Sequence, residues 1–176
     1  MWTWPVDPCR GSGKGIKALN KKHGMRRKDK AIDELAEIEQ IVRRSLVCRL
    51  GLSEENRPYI VPLSFGFKDS TLYFHSAPEG KKIEILRKNS KVCFEFDLDH
   101  EVVADEEGCK WGMKYRSVIG FGKASIVEDI QEKKAGLNAI MEHYSGGTYD
   151  YPETAIHNTL VIKVEIESMT GKKSGY

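Results

Sequence analysis

Residues 91–98 read KVCFEFDL, with Val92, Phe94, Phe96 and Leu98 on alternate positions and Cys93, Glu95 and Asp97 between them. Successive side chains of a strand point to opposite faces, so this alternation describes a strand with one buried face. The period of two recurs along the chain. Residues 45–52 (SLVCRLGL), 58–67 (PYIVPLSFGF), 71–76 (TLYFHS), 114–127 and 159–167 (TLVIKVEIE) each read as strands. In the second, Tyr59, Val61, Leu63, Phe65 and Phe67 share a face; in the last, Leu160, Ile162, Val164 and Ile166 do. Between the strands, other segments have helical spacing. Ile32, Leu35, Ile38, Ile41 and Val42 predict a helix over 29–44, Ile83 and Leu86 a short one over 80–89, and Ile130, Leu137, Ile140, Met141 and Tyr144 one over 129–144.

Six mostly consecutive antiparallel strands, with two or three helices outside them, predict a small closed barrel rather than a doubly wound sheet. No G-x-G-x-x-G follows the first strand, so a dinucleotide fold has no support. At 176 residues the chain suits one domain and a core that needs no covalent staples. Gly120 and Gly122, inside the strand at 114–127, predict a bend or the close approach of another group.

Composition narrows the function classes. The longest apolar runs are a few residues, far below the ~18 to 20 that span a bilayer, so a soluble protein is expected. Cys9, Cys48, Cys93 and Cys109 are scattered without a C-x-x-C pair, the pattern of free thiols in a reducing, cytoplasmic setting. His75, His100, His143 and His157 lack metal-ligand spacing, and no G-x-S-x-G elbow marks a hydrolase, so neither a metal nor a catalytic triad is expected. The net charge of +2 is uneven: residues 10–30 hold nine Lys or Arg and one acid. Residues 1–24 read as a basic, disordered leader ahead of a domain over 25–176. Its GSGKG run lacks the first glycine, the Ser or Thr and the preceding strand of a phosphate loop, and nucleic acid is not the expected partner.

Two local features point to a ligand. In YFHSAPEGKK (73–82) a strand ends at His75-Ser76, breaks at Pro78 and Gly80, and restarts with Lys81 and Lys82 in what reads as the first turn of a helix. Backbone N–H groups are unpaired there and the helix dipole is positive, so two lysines at that point match an anion. Pro62 stands inside a run otherwise fit for a central strand. Proline cannot donate to a ladder, so an edge or a bulge is expected, beside Phe65 and Phe67 as neighbours for a flat heteroaromatic ring.

In order along the chain, MRRKDKAI, PYIVPLSFGF, LYFHSAPEGKKIEILRKNSKVCFEFD, YRSVIGFGKASIVED and VIKVEIESMTGKKSG resemble the nitroimidazole resistance proteins of the pyridoxamine phosphate oxidase-like flavin proteins. The resemblance runs from about residue 25 to residue 175. It implies a six-stranded split β-barrel homodimer with flavin at the subunit interface, FMN in the first place and FAD as the alternative. It places Pro62, Leu63, Ser64 and Phe65 beside the isoalloxazine ring, His75, Ser76, Lys81 and Lys82 around the phosphate and ribityl chain, and Ser117 on a strand facing the cofactor. Where the oxidase itself tends to carry Ser-Arg-Lys, this chain has Glu79-Gly80-Lys81-Lys82, a departure that argues against vitamin B6 oxidation. Three functions are compatible with these residues. The first is a flavin-dependent oxidoreductase acting on small aromatic acceptors such as nitroimidazoles, with His75 as proton donor because an imidazole titrates near neutral pH. The others are a flavin-binding module without turnover and a haem-binding or haem-degrading barrel.

Overall fold

The alternating segments pair into one antiparallel sheet. A computed structural model describes residues 26–176; the basic leader lies outside the described residues. The strands are β1 (Ala31–Ile32), β2 (Cys48–Glu54), β3 (Arg57–Leu63), β4 (Gly66–Lys68), β5 (Thr71–Ser76), β6 (Lys91–Val103), β7 (Gly112–Val127) and β8 (Leu160–Ser174). The helices are α1 (Leu35–Arg44), α2 (Lys81–Lys88), α3 (Ile130–Ser145) and α4 (Glu153–Asn158). Strands run in the order β3-β2-β6-β7-β8-β5-β4, with β1 added to β8.

The mainly β architecture with flanking helices agrees with the sequence, and two details differ. The described sheet has eight strands, not six, and no ladder joins β3 to β4, so the hydrogen-bonded path stays open. The extra strands have local causes. The run expected as one strand over 58–67 divides at Ser64 and Phe65, because the Phe65 N–H donates to Tyr144 Oη (3.1 Å) on α3 instead of to a neighbouring strand. Upstream, Ala31 and Ile32 pair with Lys172 and Gly171 of β8, so the first helix begins only at Leu35. Beyond the alternation of 91–98, β6 continues to Val103 and β7 starts at Gly112, making a long hairpin in which Val102 pairs with Met113.

The inward face follows the predicted alternation. Leu50, Leu72, Phe74, Phe94, Phe96, Val118, Ile162 and Val164 are completely buried, and fully burying one such side chain stabilises the fold by roughly 1.5–3 kcal/mol. From α1, Ile38, Ile41 and Val42 close this core, and from α2, Ile83, Ile85 and Leu86. Both glycines of β7 answer to packing. A Cβ on Gly120 would collide with the Phe94 ring and one on Gly122 with the Glu165 carbonyl. Beside them the β7–β8 register slips, Phe121 facing Ser168 and Gly122 facing Ile166, which leaves Glu167 as a bulge.

The outer face is divided. α3 lies on the β4, β5 and β8 side, where the Gly66 backbone abuts Ala139 and Ile140, and Gly136 sits against Tyr73 and Val161. Asp129 caps the start of this helix through the Glu132 N–H (2.8 Å), and Gly146 ends it at φ 71°. On the β3, β2, β6 and β7 side no helix intervenes among the described residues, and Ile60, Ile119 and Phe121 are exposed at 64%, 45% and 45%. No helix among the described residues is long and apolar enough to cross a membrane.

Candidate functional site

Position in the ladders decides which expected site residues meet. β5 delivers His75 opposite Val161 and Ser76 opposite Leu160 at its end. His75 is exposed and Ser76 half-buried. Gly80, at φ 122°, turns the chain into α2 with nothing within 4 Å of where a Cβ would stand. The N–H groups of Ile83 and Glu84 both reach Gly80 O (2.9 and 3.1 Å), so Lys81 and Lys82 occupy the first turn with N–H groups that have no intrahelical acceptor. The helix thus starts at the lysine pair, as the sequence predicts.

The two lysines differ in their surroundings. The Lys81 ammonium pairs with Glu54 at the end of β2, and the same carboxylate accepts from Lys88 Nζ at 2.6 Å. Lys81 first, and then Lys88, hold the Glu54 carboxyl down at about 2. Lys82 is half-buried, has no acidic partner among the described residues, and its pKa is lowered by burial alone. A buried ammonium without a counter-charge is unfavourable, and an anion delivered to it would reverse that cost.

The β3–β4 break forms the second element. β3 is a terminal strand, so Pro62 sits at a sheet edge as its missing N–H requires, paired only with Arg49 of β2. Pro62 and Ser64 are exposed, while Leu63 packs against the core. The β4–β5 ladder ends with Gly66 opposite Tyr73, so Ser64 lies outside it, two residues before that pair. Phe65 and Phe67 depart from the expectation of a stacking surface. Both rings are buried, Phe65 completely, with its ring 4.8 Å from Phe96 and 4.3 Å from His143. What the break offers outward is backbone and Ser64.

Ser117 stands apart from this group. It pairs with Asp97 and Lys172 and faces outward with Pro62 on the uncovered half of the sheet, three strands away, or about 14 Å. Along β7 it is ten positions from Val127, whose partner Val161 neighbours His75, roughly 30 Å of strand. Within one chain Ser117 therefore does not join His75. Nearby on the uncovered half is a cleft of about 530 Å³ whose lining includes Gly51, Ile60, Cys93 and Phe121 together with Arg49 and Glu95. None of the expected site residues lines it. Arg49 donates to Glu95 (3.1 Å) and to Asp97, which also meets His100 Nε2 at 2.8 Å. Burial pushes the Cys93 thiol up, away from thiolate chemistry.

Three residues of consequence escaped the sequence reading. Tyr144 donates to Leu46 O (2.7 Å) while accepting from the Phe65 N–H, and so holds the break open. His143 Nε2 lies 2.8 Å from Ser45 O, and burial lowers its pKa, so the ring sits neutral with Nε2–H donating. Glu54 is the third. Only its acidic character was visible in the sequence, since its lysine partners are 27 and 34 residues away.

Comparison with known proteins follows the same outline. The profile of the pyridoxamine 5'-phosphate oxidase family matches residues 34–173. A candidate 5-nitroimidazole antibiotic resistance protein from Bacteroides thetaiotaomicron is 39% identical over 81% of this chain and 86% of its own, with a TM-score of 0.74. The flavocytochrome Anf3 from Azotobacter vinelandii (18% identity, 90% of this chain, 75% of that one, TM-score 0.78) shares the fold. So does the FAD and haem binding protein from Mycobacterium smegmatis (16% identity, 84% and 74%, TM-score 0.76). No curated protein matches the chain significantly. With a profile spanning most of the sequence and a relative this similar over four-fifths of it, the chain belongs to the pyridoxamine 5'-phosphate oxidase family.

Proposed function

We propose that the chain is a homodimeric, FMN-binding oxidoreductase that acts on small aromatic acceptors such as nitroimidazoles. The observation that carries the flavin site is Lys82, a half-buried ammonium without an acidic partner among the described residues, beside two unbonded N–H groups at the start of α2. The phosphate of FMN, or of FAD, supplies the counter-charge, with Ser76 close in sequence as a further donor. As the terminal strand, β3 presents backbone groups without ladder partners along its outer edge, and with exposed Ser64 these suit the polar rim of an isoalloxazine ring.

The homodimer explains why Ser117 and the lysines lie apart in one chain. A second copy seated on the uncovered half, where Ile60, Ile119 and Phe121 are exposed, brings the Ser117 of one subunit toward the β5–α2 corner of the other. When bound, flavin supplies hydride and electron transfer. The protein's part is to hold the phosphate with Lys82 and the α2 start, to orient the ring along β3, and to hold or release a proton at the exposed imidazole of His75. The nitroimidazole acceptor follows the Bacteroides relative, 39% identical over most of both chains.

The test is the absorbance spectrum and mass of the small molecule that copurifies. A yellow protein bleached by reductant, and reoxidised by a nitroimidazole, is expected, with the mass separating FMN from FAD. A Soret band instead would assign haem. Flavin that binds but passes electrons to no acceptor would leave a binding module. Unchanged reduction kinetics in His75→Ala would remove His75 from the proton path.

A further inference from the structure

The pairing of Glu54 bears on how that phosphate site selects its ligand. Lys81 and Lys88 are seven residues apart, two turns of α2 and about 10 Å along its axis. Both ammonium groups meet the one Glu54 carboxylate, Lys88 at 2.6 Å. The Lys81 ammonium is therefore engaged by Glu54 rather than unpaired at the helix start. Of the two lysines that open α2, Lys82 alone is left to the anion.

Resting on the flavin-phosphate reading above, we propose that Glu54 is a competing anion built into the site. It holds Lys81 off the first turn of α2, so a ligand phosphate recruits Lys81 only by displacing the carboxylate. Glu54 thereby sets how strongly the site prefers phosphorylated over unphosphorylated flavin. With its carboxyl held at about 2, Glu54 competes as an anion throughout the neutral range. Its side chain is mostly covered, at 17% exposure, while that of Lys81 is half open at 51%, so Lys81 is the partner free to swing. With Lys81 half open to solvent, its ion pair can exchange for a doubly charged phosphate.

Titration of the full chain with FMN and with riboflavin, followed by quenching of flavin fluorescence, tests this. Glu54→Gln should tighten FMN about 3- to 10-fold and leave riboflavin within about twofold, the riboflavin value showing that the ring pocket is intact. In a Lys81→Ala background the same substitution should change nothing, because the released Lys88 stands two turns from the first-turn N–H groups. An FMN affinity that is unchanged or weaker in Glu54→Gln, or a gain that persists without Lys81, overturns the proposal while the site itself stands. If Lys82→Ala leaves the FMN-to-riboflavin ratio untouched, the phosphate lies elsewhere, and both the site and the role of Glu54 fall.

Discussion

The two halves of the sheet's outer face share one backbone and carry opposite surfaces. Over β4, β5 and β8, glycines at 66 and 136 let α3 lie directly on the strands, and Tyr73 and Val161 are covered. Over β3, β2, β6 and β7 the equivalent outward positions carry Ile60, Ile119 and Phe121, large, apolar and exposed. Isolated exposed apolar residues are ordinary, but a cluster beside a 530 Å³ cleft marks a surface meant to be covered. The difference teaches that the first half is finished by the chain itself, while the second is left open among the described residues, the face on which the proposed second copy would sit.

Substitutions can break or sharpen that contrast. The largest effect is expected for Phe65→Ala, which empties a completely buried ring site under the covered half and should cost about 3–5 kcal/mol in urea denaturation. Phe121→Ala on the other half, measured at concentrations where the chain is monomeric, should change stability by no more than about 0.5 kcal/mol. Equal losses would erase the distinction. Next comes Gly136→Val: a Cβ there stands 2.8 Å from Tyr73 Cδ1 and 3.0 Å from Val161, so α3 must lift, at about 1–3 kcal/mol.

Tyr144→Phe should cost about 1–2 kcal/mol, because the Phe65 N–H loses its acceptor and Leu46 O its donor. If flavin affinity also falls, the break between β3 and β4 is part of the ring site. The smallest effect concerns pH. His143 has a folded pKa below its unfolded value of about 6.5, so the unfolded chain binds the proton more readily. The contribution of His143 is whole above about pH 6.5 and declines as the pH falls below that value. Melting temperatures from about pH 7 to about 5.5 should fall less steeply in His143→Gln than in the parent; identical slopes would show that this imidazole is not responsible.

How far the sequence reveals the molecule depends on the range of the interaction. The alternation in β6 and β8 was legible because one face of each is buried against the core, a pattern that needs no knowledge of the partner strand. The break at Ser64 and Phe65 was not, since it depends on a tyrosine hydroxyl 79 residues away. Ile32 has helical spacing with Leu35, yet its backbone pairs with Gly171, a contact no local pattern encodes. The lysine pair shows both cases. Its place at a helix start follows from Pro78, Gly80 and the apolar spacing behind them, whereas the inequality of Lys81 and Lys82 comes from Glu54, brought in by β2.

The proposed dimer seats a second copy on the uncovered half, with flavin held between the two. Sedimentation velocity of the full chain with FMN, recorded in the protein and flavin absorbance bands together, tests this most directly. A single species of twice the chain mass with two flavins is predicted, replaced by monomer in Ile60→Asp with loss of most of the bound flavin. A monomer that carries flavin at full occupancy, or a dimer whose flavin survives Ile60→Asp unchanged, would contradict it.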